Sequence, residues 1–279
     1  MTSEVDAVPP GALVEEVAPL SVAEIASRYA ATVGAIAGAE VQRIRREPSV
    51  LFTRAAQPLL WLLVFGAAMS QVRNLSTDGV SYQAFIVPGV LAQSVLFIAI
   101  FSGLSIIWER DLGITQRILV APVFRSAIIL GKALGAGLRA LVQVIVVLVV
   151  VAAVRIPLRW SVLGVVGTLA VTVLGAMLLS AVSMVIASAV RGREQFMGVG
   201  QLVTLPLFFA SNALYPLSIM PTWLQGVARA NPLTYEVEIL RRLLLDVGPS
   251  RMVLDLAVLV AATVVAVALA SRLYPRRVM

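Results

Sequence analysis

The sequence contains six apolar segments, each near the roughly 20 residues that an α-helix needs to cross a lipid bilayer. Hydrophobic residues make up 59% of the chain and charged residues only 13%, which excludes an ordinary soluble domain. We therefore predict an all-α integral membrane protein with six transmembrane helices. The predicted spans are residues 53–72, 82–107, 127–154, 161–189, 197–216 and 252–273.

A charged stretch, Trp108–Arg125, separates the second predicted span from the third, and we call it the island. Charged side chains are costly against lipid, so the island must lie in water or against a protein partner. It is either a solvated loop between two spans or a short docking helix. A helix would place Ile114 and Ile118 on one face and leave charged residues on another. The charged residues are Glu109, Arg110, Asp111, Arg117 and Arg125.

Two regions precede the first predicted span. Residues 1–20 contain four acidic residues and three prolines, a composition that predicts a disordered cytoplasmic tail. Residues 21–47 have a helical pattern of apolar positions and end in a cluster of arginines. Because arginines suit anionic lipid head groups, we predict an amphipathic interfacial helix, followed by the six-span domain over 48–279. A soluble helix packed on a neighbour is the alternative.

The arginines at the span ends predict the orientation in the membrane. An even number of spans places both termini on the same side. More arginines flank the spans on this side than on the other, and cytoplasmic loops are enriched in arginine and lysine. We therefore predict that both termini and the island are cytoplasmic.

The third predicted span carries two cations and a repeat of small residues. Lys132 and Arg139 lie near its cytoplasmic half, where long side chains can reach the membrane interface. Gly131 and Gly135 lie one helical turn apart, so a neighbouring helix can approach closely. That neighbour is either another helix of the same chain or a second copy in a dimer.

The stretch 211–251 cannot form one straight span, because Pro216, Pro221 and Pro232 interrupt it. Asn231 followed by Pro232 has the pattern of a helix N-cap and first helical residue. Broken helices at membrane depth need cover from protein or from a water-filled cavity, which predicts a re-entrant helical element on the outer side. A surface amphipathic helix in an external loop is the alternative. The apolar face of the last helix here would contain Leu233, Val237, Leu240 and Leu244.

The sequence lacks the residues of common catalytic and nucleotide-binding sites. It contains no cysteine, no histidine, and no GxxxxGK[ST] or HExxH motif. We therefore predict no catalytic residue, no metal site and no cofactor on this chain. The predicted spans carry no acidic residue in their interiors, with Asp255 at the edge of the last, which disfavours a proton- or sodium-coupled carrier. The scattered basic residues form no basic face, so no nucleic-acid partner is expected.

Four short motifs occur in order through the chain. They are Arg46-Glu47-Pro48; Gln57-Pro58-Leu59-Leu60-Trp61; Glu109-Arg110-Asp111-Leu112-Gly113 with Ala121-Pro122; and Tyr215-Pro216-Leu217 with Asn231-Pro232-Leu233-Thr234-Tyr235. Their order resembles the permease subunit of type-2 ABC exporters, in particular the daunorubicin-resistance permease-like group. The resemblance covers nearly the whole chain from Ser21 onward.

The resemblance implies an assembly and a function. Two six-span permeases pair, as a homodimer or with a sister permease. Each permease rests on a separate ABC ATP-binding subunit, so that two such subunits carry the ATP and Mg. The assembly would move a hydrophobic or amphipathic substrate, such as a drug, an antibiotic or a lipid, out of the cytoplasm or inner leaflet of a bacterial inner membrane. Membrane lipids are further partners.

The resemblance also implies three sites. The island would be the coupling helix between the ATP-binding subunit and the spans. The first, second and fifth spans would line the substrate path, and the element over 211–251 would act as an outer gate. The implied coupling residues are Glu109, Arg110, Asp111, Gly113, Ile114, Arg117, Ile118 and Pro122. The implied path residues are Trp61, Phe65, Phe97, Phe101, Phe208, Phe209 and Asn212. The implied gate residues are Tyr215, Pro216, Pro221, Trp223, Asn231 and Pro232.

Two other classes of function stay open. A stand-alone secondary carrier would need titratable side chains inside the spans or internal repeats, and the sequence indicates neither. A non-transport membrane scaffold would tolerate substitutions throughout the island, whereas a coupling helix would not. A lipid-modifying enzyme would need a nucleophile with its base or a set of metal ligands.

Overall fold

The computed structural model describes residues 21–70, 79–113, 124–248 and 251–274. Within these ranges every regular element is helical, as the apolar segments predict. A π-helical turn, Trp61–Phe65, joins the second α-helix to the third, and a 3₁₀ turn, Leu217–Ile219, precedes the eighth. The α-helices are α1 Val22–Arg46, α2 Pro48–Leu60, α3 Gly66–Met69, α4 Tyr82–Asp111, α5 Arg125–Ala153, α6 Val162–Ala189, α7 Arg193–Phe209, α8 Thr222–Ala230, α9 Pro232–Leu245 and α10 Met252–Leu273.

Four of these helices, α4, α5, α6 and α10, are long and apolar enough to cross a bilayer. They coincide with the second, third, fourth and sixth predicted spans. The first predicted span is instead divided into α2, the π-helical turn and α3, and the fifth is represented by α7, which has 17 residues and ends at Phe209. Pro58 lies inside α2 and Pro206 inside α7, and each proline removes one backbone hydrogen-bond donor from its helix.

Helix α4 is buried along most of its length and is the centre of the fold. A Cβ atom added to Gly89 would lie 2.7 Å from the carbonyl carbon of Ala213, which follows α7. The backbone N–H of Gly103 donates to Ser183 Oγ at 3.1 Å, and Ser183 Oγ donates to the carbonyl oxygen of Ile100 at 2.9 Å. The two glycines therefore let α6 and the chain after α7 approach the α4 backbone directly.

Helix α1 lies against α5, and the glycines predicted to allow a close approach are at their contact. A Cβ atom on Gly131 would lie 2.8 Å from Ile36 Cβ, and one on Gly135 would lie 2.6 Å from Glu40 Cγ. Arg139, one further turn along α5, forms an ion pair with Glu40. The small residues of α5 therefore pack against a helix of the same chain, which was one of the two predicted alternatives.

Trp108–Gly113, which we call the last turn of α4, comprises the end of this helix and the two residues after it, and lies at the end of the helices that we call the island end. At the opposite, distal end the Arg159 N–H donates to the Leu244 carbonyl of α9, and Arg229 of α8 lies beside the start of α10. Helix α9 packs along α6, with its C-terminus at the distal end and its N-terminus deeper in the fold. A Cβ atom on Gly164 would lie 2.7 Å from the Leu243 carbonyl oxygen, and one on Gly175 would clash with the Glu236 carboxyl group. These two glycines are about three turns of α6 apart, so the first turn of α9 reaches the middle of α6.

Two expectations lie outside the described residues. They concern the predicted tail over 1–20 and the middle of the island, which includes Ile114, Arg117, Ile118 and Pro122.

Candidate functional site

The island begins with an ion pair that joins α4 to α5. Lys132 Nζ lies 2.6 Å from both carboxylate oxygens of Glu109. The Lys132 side chain is 9% exposed and the Glu109 side chain is 24% exposed. Because both groups are largely removed from water, loss of either partner would leave a poorly solvated charge. Lys132 therefore uses its charge within the chain, as a partner of the first predicted coupling residue.

The next two island residues join α4 to the junction between α6 and α7. Arg110 donates to the carbonyl oxygen of Arg191 at 2.8 Å, just after α6 ends. Arg193 Nε lies 3.1 Å from Asp111 Oδ2, and the Arg193 guanidinium lies 4.8 Å from the centre of the Trp108 ring. The Arg110 bond to a carbonyl oxygen is charge-assisted, whereas Asp111 and Arg193 are half exposed, so their pair contributes about 0–1 kcal/mol. The last turn of α4 is thus bonded to α5 and to the start of α7, so a displacement of this turn would be transmitted to both.

The tip of α4 presents an apolar side chain to the outside. Leu112 is 68% exposed and Trp108 is 49% exposed, although charged neighbours surround them. Gly113 ends the helix with a φ of +69°, a conformation that glycine adopts without strain. Exposed apolar residues with internally bonded charges around them suit contact with another protein. Leu112 was missed by the sequence analysis, although it stands in the same motif as Glu109.

Four of the predicted path residues form one aromatic cluster between the π-helical turn and the end of α7. The Trp61 ring centroid lies 5.0 Å from that of Phe65, 6.3 Å from that of Phe208 and 6.4 Å from that of Phe209. Edge-to-face contacts at these distances stabilise aromatic pairs. Residues from the first and fifth predicted spans are therefore in direct contact, and their role in a substrate path stays a prediction.

The other predicted path residues are in two different places. Phe97 and Phe101 line a cavity of about 360 Å³ between α2, α4 and α7, on the island side of the aromatic cluster. Asn212 does not line this cavity; it is buried, its side-chain amide donates to Glu238 Oε1 at 3.1 Å, and its carbonyl accepts from Arg241 at 2.9 Å. The structure thus places Asn212 among the residues that hold α9.

The predicted gate residues lie at the turns that connect α7, α8 and α9. Asn231 caps α9 by accepting from the Leu233 N–H at 3.0 Å, and Pro232 is the first residue of the helix, so this predicted start is confirmed. The Asn231 amide also donates to the carbonyl oxygens of Leu207 and Ala210, at 2.7 and 3.3 Å. Among the remaining gate residues, the Tyr215 hydroxyl donates to the Phe209 carbonyl. Pro216 immediately precedes the 3₁₀ turn, and Pro221 immediately precedes α8. Trp223 lies in α8 and is exposed.

Replacing Asn231 with alanine should destabilise the protein by about 2 kcal/mol, because the helix cap and both bonds to the end of α7 are lost together. Asn231→Ser keeps an oxygen that can cap α9 and should lose about half as much. Thermal unfolding of the purified chain in detergent measures the difference. Equal stability of the alanine and serine variants would show that the cap is unimportant.

Glu236 is a buried carboxyl group that the sequence analysis missed. It is 1% exposed, and its Oε1 atom has no hydrogen-bond partner among the described residues. The helical spacing of the sequence could have revealed its burial, since Glu236 lies between Leu233 and Leu240 on the face that is otherwise apolar. All four apolar residues predicted for that face are also buried.

The described residues contain no group of three or more acidic side chains that could hold a metal ion. Two features of the described residues bear on function. They are the last turn of α4, whose charged side chains are bonded to neighbouring helices, and the cavity beside Phe101.

Comparison with known proteins identifies the family of the chain. The ABC-2 type transporter family matches residues 32–245. A protein named as transport permease ycf38 from Pyropia yezoensis is 34% identical over 204 residues, which cover 71% of this chain and 68% of that protein. The daunorubicin resistance ABC transporter permease protein DrrB1 of Streptomyces coeruleorubidus is 28% identical over 197 residues, with coverage of 71% and 69%. Nodulation protein J of Rhizobium meliloti (strain 1021) is 27% identical over 226 residues, with coverage of 80% and 85%. The chain therefore belongs to the ABC-2 type transporter family, as a membrane permease.

Proposed function

We propose that this chain is the transmembrane subunit of an ATP-driven exporter in a bacterial inner membrane. Two copies pair, and each rests on a separate ATP-binding subunit that carries the ATP and Mg. The substrate is a hydrophobic or amphipathic molecule, such as a drug, an antibiotic or a lipid, taken from the cytoplasm or the inner leaflet. The family supports this proposal, as do the ABC transporter permeases among the similar proteins.

The last turn of α4 carries the proposal. Its charges are bonded to α5 and to the α6–α7 junction, and the Leu112 side chain is exposed. A partner that binds Leu112 and the following residues would therefore push on several helices at once. This is the requirement for coupling ATP hydrolysis on another subunit to movement of the spans.

The proposal includes an orientation for the helices. The composite helix of α2 and α3 and the shorter α7 complete six spans, with both termini and the island in the cytoplasm. Helix α1 lies in the cytoplasmic interface, and α8 with α9 forms the outer gate. The substrate would enter at the cavity beside Phe101 and pass the cluster of Trp61, Phe208 and Phe209 on its way out. The order of the two sites along α7 supports this path, since the cavity includes Phe196 and Thr204 and the cluster includes Phe208 and Phe209.

The test is binding and ATP hydrolysis in membranes that contain this chain and its candidate ATP-binding subunit. Leu112→Asp and Ile114→Asp should each lower complex formation about tenfold, because a charge replaces an apolar contact at the docking surface. Val162→Asp is the matched control: Val162 is 82% exposed at the first position of α6, where an acidic residue is tolerated. It should leave binding and hydrolysis unchanged.

Absence of any complex with the native chain would reject the exporter proposal. Full binding and stimulation by both island variants would reject the island as the docking site. If substitutions at every position of Glu109–Gly113 left binding and hydrolysis unchanged, a membrane scaffold would be favoured.

A stand-alone ion-coupled carrier is the second candidate, and the buried Glu236 is the observation in its favour. Such carriers use buried carboxyl groups to bind and release protons or cations. Glu236→Gln preserves the size and hydrogen-bonding groups but cannot ionise. An ATP-driven exporter should keep its activity with this substitution, whereas an ion-coupled carrier should lose it.

A further inference from the structure

The cavity beside Phe101 contains one cation and is otherwise mostly apolar. Its volume of about 360 Å³ lies within the range of small-molecule sites. Among its described lining residues Arg54 is the only charged one, and no aspartate or glutamate is present. Gln57 of α2 and Met197 of α7 are exposed at its rim, so the cavity opens between these helices.

Arg54 differs from the nearby cations Arg139 and Lys132, because among the described residues its charge has no acidic partner. Its guanidinium lies 4.2 Å from the centre of the Phe101 ring and forms no ion pair with a described residue. By contrast, Arg139 is paired with Glu40, and Lys132 with Glu109. A guanidinium that faces an apolar cavity gains most from an anionic partner, which it can bind through paired N–H donors.

The surroundings of Arg54 place the charge at one end of the cavity. Arg54 and Phe101 also line a second cavity of about 400 Å³, which extends to α1 and the island residue Trp108. Arg43 and Arg139 lie around this second cavity, with Glu47 as its acidic residue among those described. Phe101 lines both cavities, and Phe97 lines only the first. A ligand would therefore meet positive charge at the island side and hydrocarbon beyond it.

We propose that this site selects an amphiphile with an anionic head group, such as a phosphate or carboxylate, bound by Arg54, and an apolar body that lies against Phe97 and Phe101. This deepens the proposed function and rests on it, because it names the charge of the exported substrate. A cationic amphiphile would be repelled by Arg54 and would find no carboxylate among the described residues that line the cavity.

The test measures binding to the full chain alone, in nanodiscs of zwitterionic phosphatidylcholine at low salt. The probe is a dodecyl phosphate with a photoactivatable diazirine near the end of its chain. Its counterpart carries a trimethylammonium group in place of the phosphate. The phosphate probe should label the α4 segment around Phe97, and its apparent affinity should exceed that of the cationic probe about tenfold.

Arg54→Gln should weaken labelling by the phosphate probe about tenfold and leave the cationic probe unaffected or slightly better bound. Arg54→Lys keeps the charge and should retain most of the affinity, which separates a charge effect from misfolding. Arg45→Gln is the matched control, since Arg45 is exposed on α1 and lines neither cavity. Excess inorganic phosphate should not displace the probe, because the apolar body supplies much of the binding.

Equal labelling by the two probes, no label on α4, or unchanged affinity in Arg54→Gln would overturn the proposal. Displacement by inorganic phosphate would identify a free anion as the ligand and overturn it as well. The measurement contains no ATP-binding subunit, so its failure leaves the exporter proposal intact. Conversely, probe binding with no complex in the coupling experiment would count against the exporter proposal alone.

Discussion

Gly89→Ala should unfold or severely destabilise the protein. The added methyl group would lie within 2.7 Å of the Ala213 carbonyl carbon, and both partners are backbone in the buried centre of the fold. Neither can move without shifting α4 away from the chain that follows α7. Overpacking of this kind costs about 3 kcal/mol, which for a chain of this size corresponds to a fall of about 10 °C in the melting temperature. Fluorescence-detected size-exclusion chromatography after heating measures it.

Gly38→Ala is the matched control for Gly89→Ala. Gly38 also lies in a helix, but a Cβ atom added there meets nothing within 4 Å. Alanine should keep or slightly raise the stability, by up to about 1 kcal/mol from helix propensity. If both variants melted at the native temperature, the close approach of α4 to Ala213 would be refuted.

If the chain forms the proposed exporter, Lys132→Met should lower the amount of substrate exported per ATP hydrolysed about tenfold, a change within the usual range of coupling free energies. Methionine preserves most of the side-chain volume but leaves the Glu109 carboxylate without its ammonium partner at the end of α4. Movement of the island would then no longer be passed firmly to α5. The ratio of substrate exported to ATP hydrolysed is the measurement.

Two further variants control the Lys132 experiment. Exchanging the pair, Glu109→Lys with Lys132→Glu, should restore part of the coupling. Asp246→Asn removes an exposed ion pair with Arg159 at the distal end, and asparagine tolerates the φ of +56° at this position. It should leave coupling unchanged. Native coupling in Lys132→Met would show that the ion pair only supports the fold.

Local pattern was enough to predict several elements of this fold. The apolar lengths predicted α4, α5, α6 and α10, because an uninterrupted run of this length forms a single helix. Asn231 and Pro232 predicted the start of α9, because capping depends on adjacent residues. Gly131 and Gly135 predicted a close contact but not its partner, since α1 lies far away in the sequence.

The site was harder to predict, because its important features are contacts between distant residues. Arg54 was visible only as one of many arginines at span ends, and its position in an apolar cavity follows from the packing of α2 against α4. Glu236 interrupted an apolar face, yet only the position of α9 beside Gly175 shows how deeply it is buried. The partner of Lys132 likewise depended on the pairing of α4 with α5.

The inward position of α9 has a consequence for how the chain is made. Its buried face includes the ionisable residues Glu236 and Arg241, which would be costly against lipid. The surfaces that receive them belong to helices synthesised earlier: Phe85 of α4 lies 4.0 Å from the Arg241 guanidinium, and Gly175 of α6 lies against Glu236. During biogenesis the ionisable face of α9 can therefore be buried only after α4 and α6 are in place, which makes the docking of α9 a late step of membrane assembly.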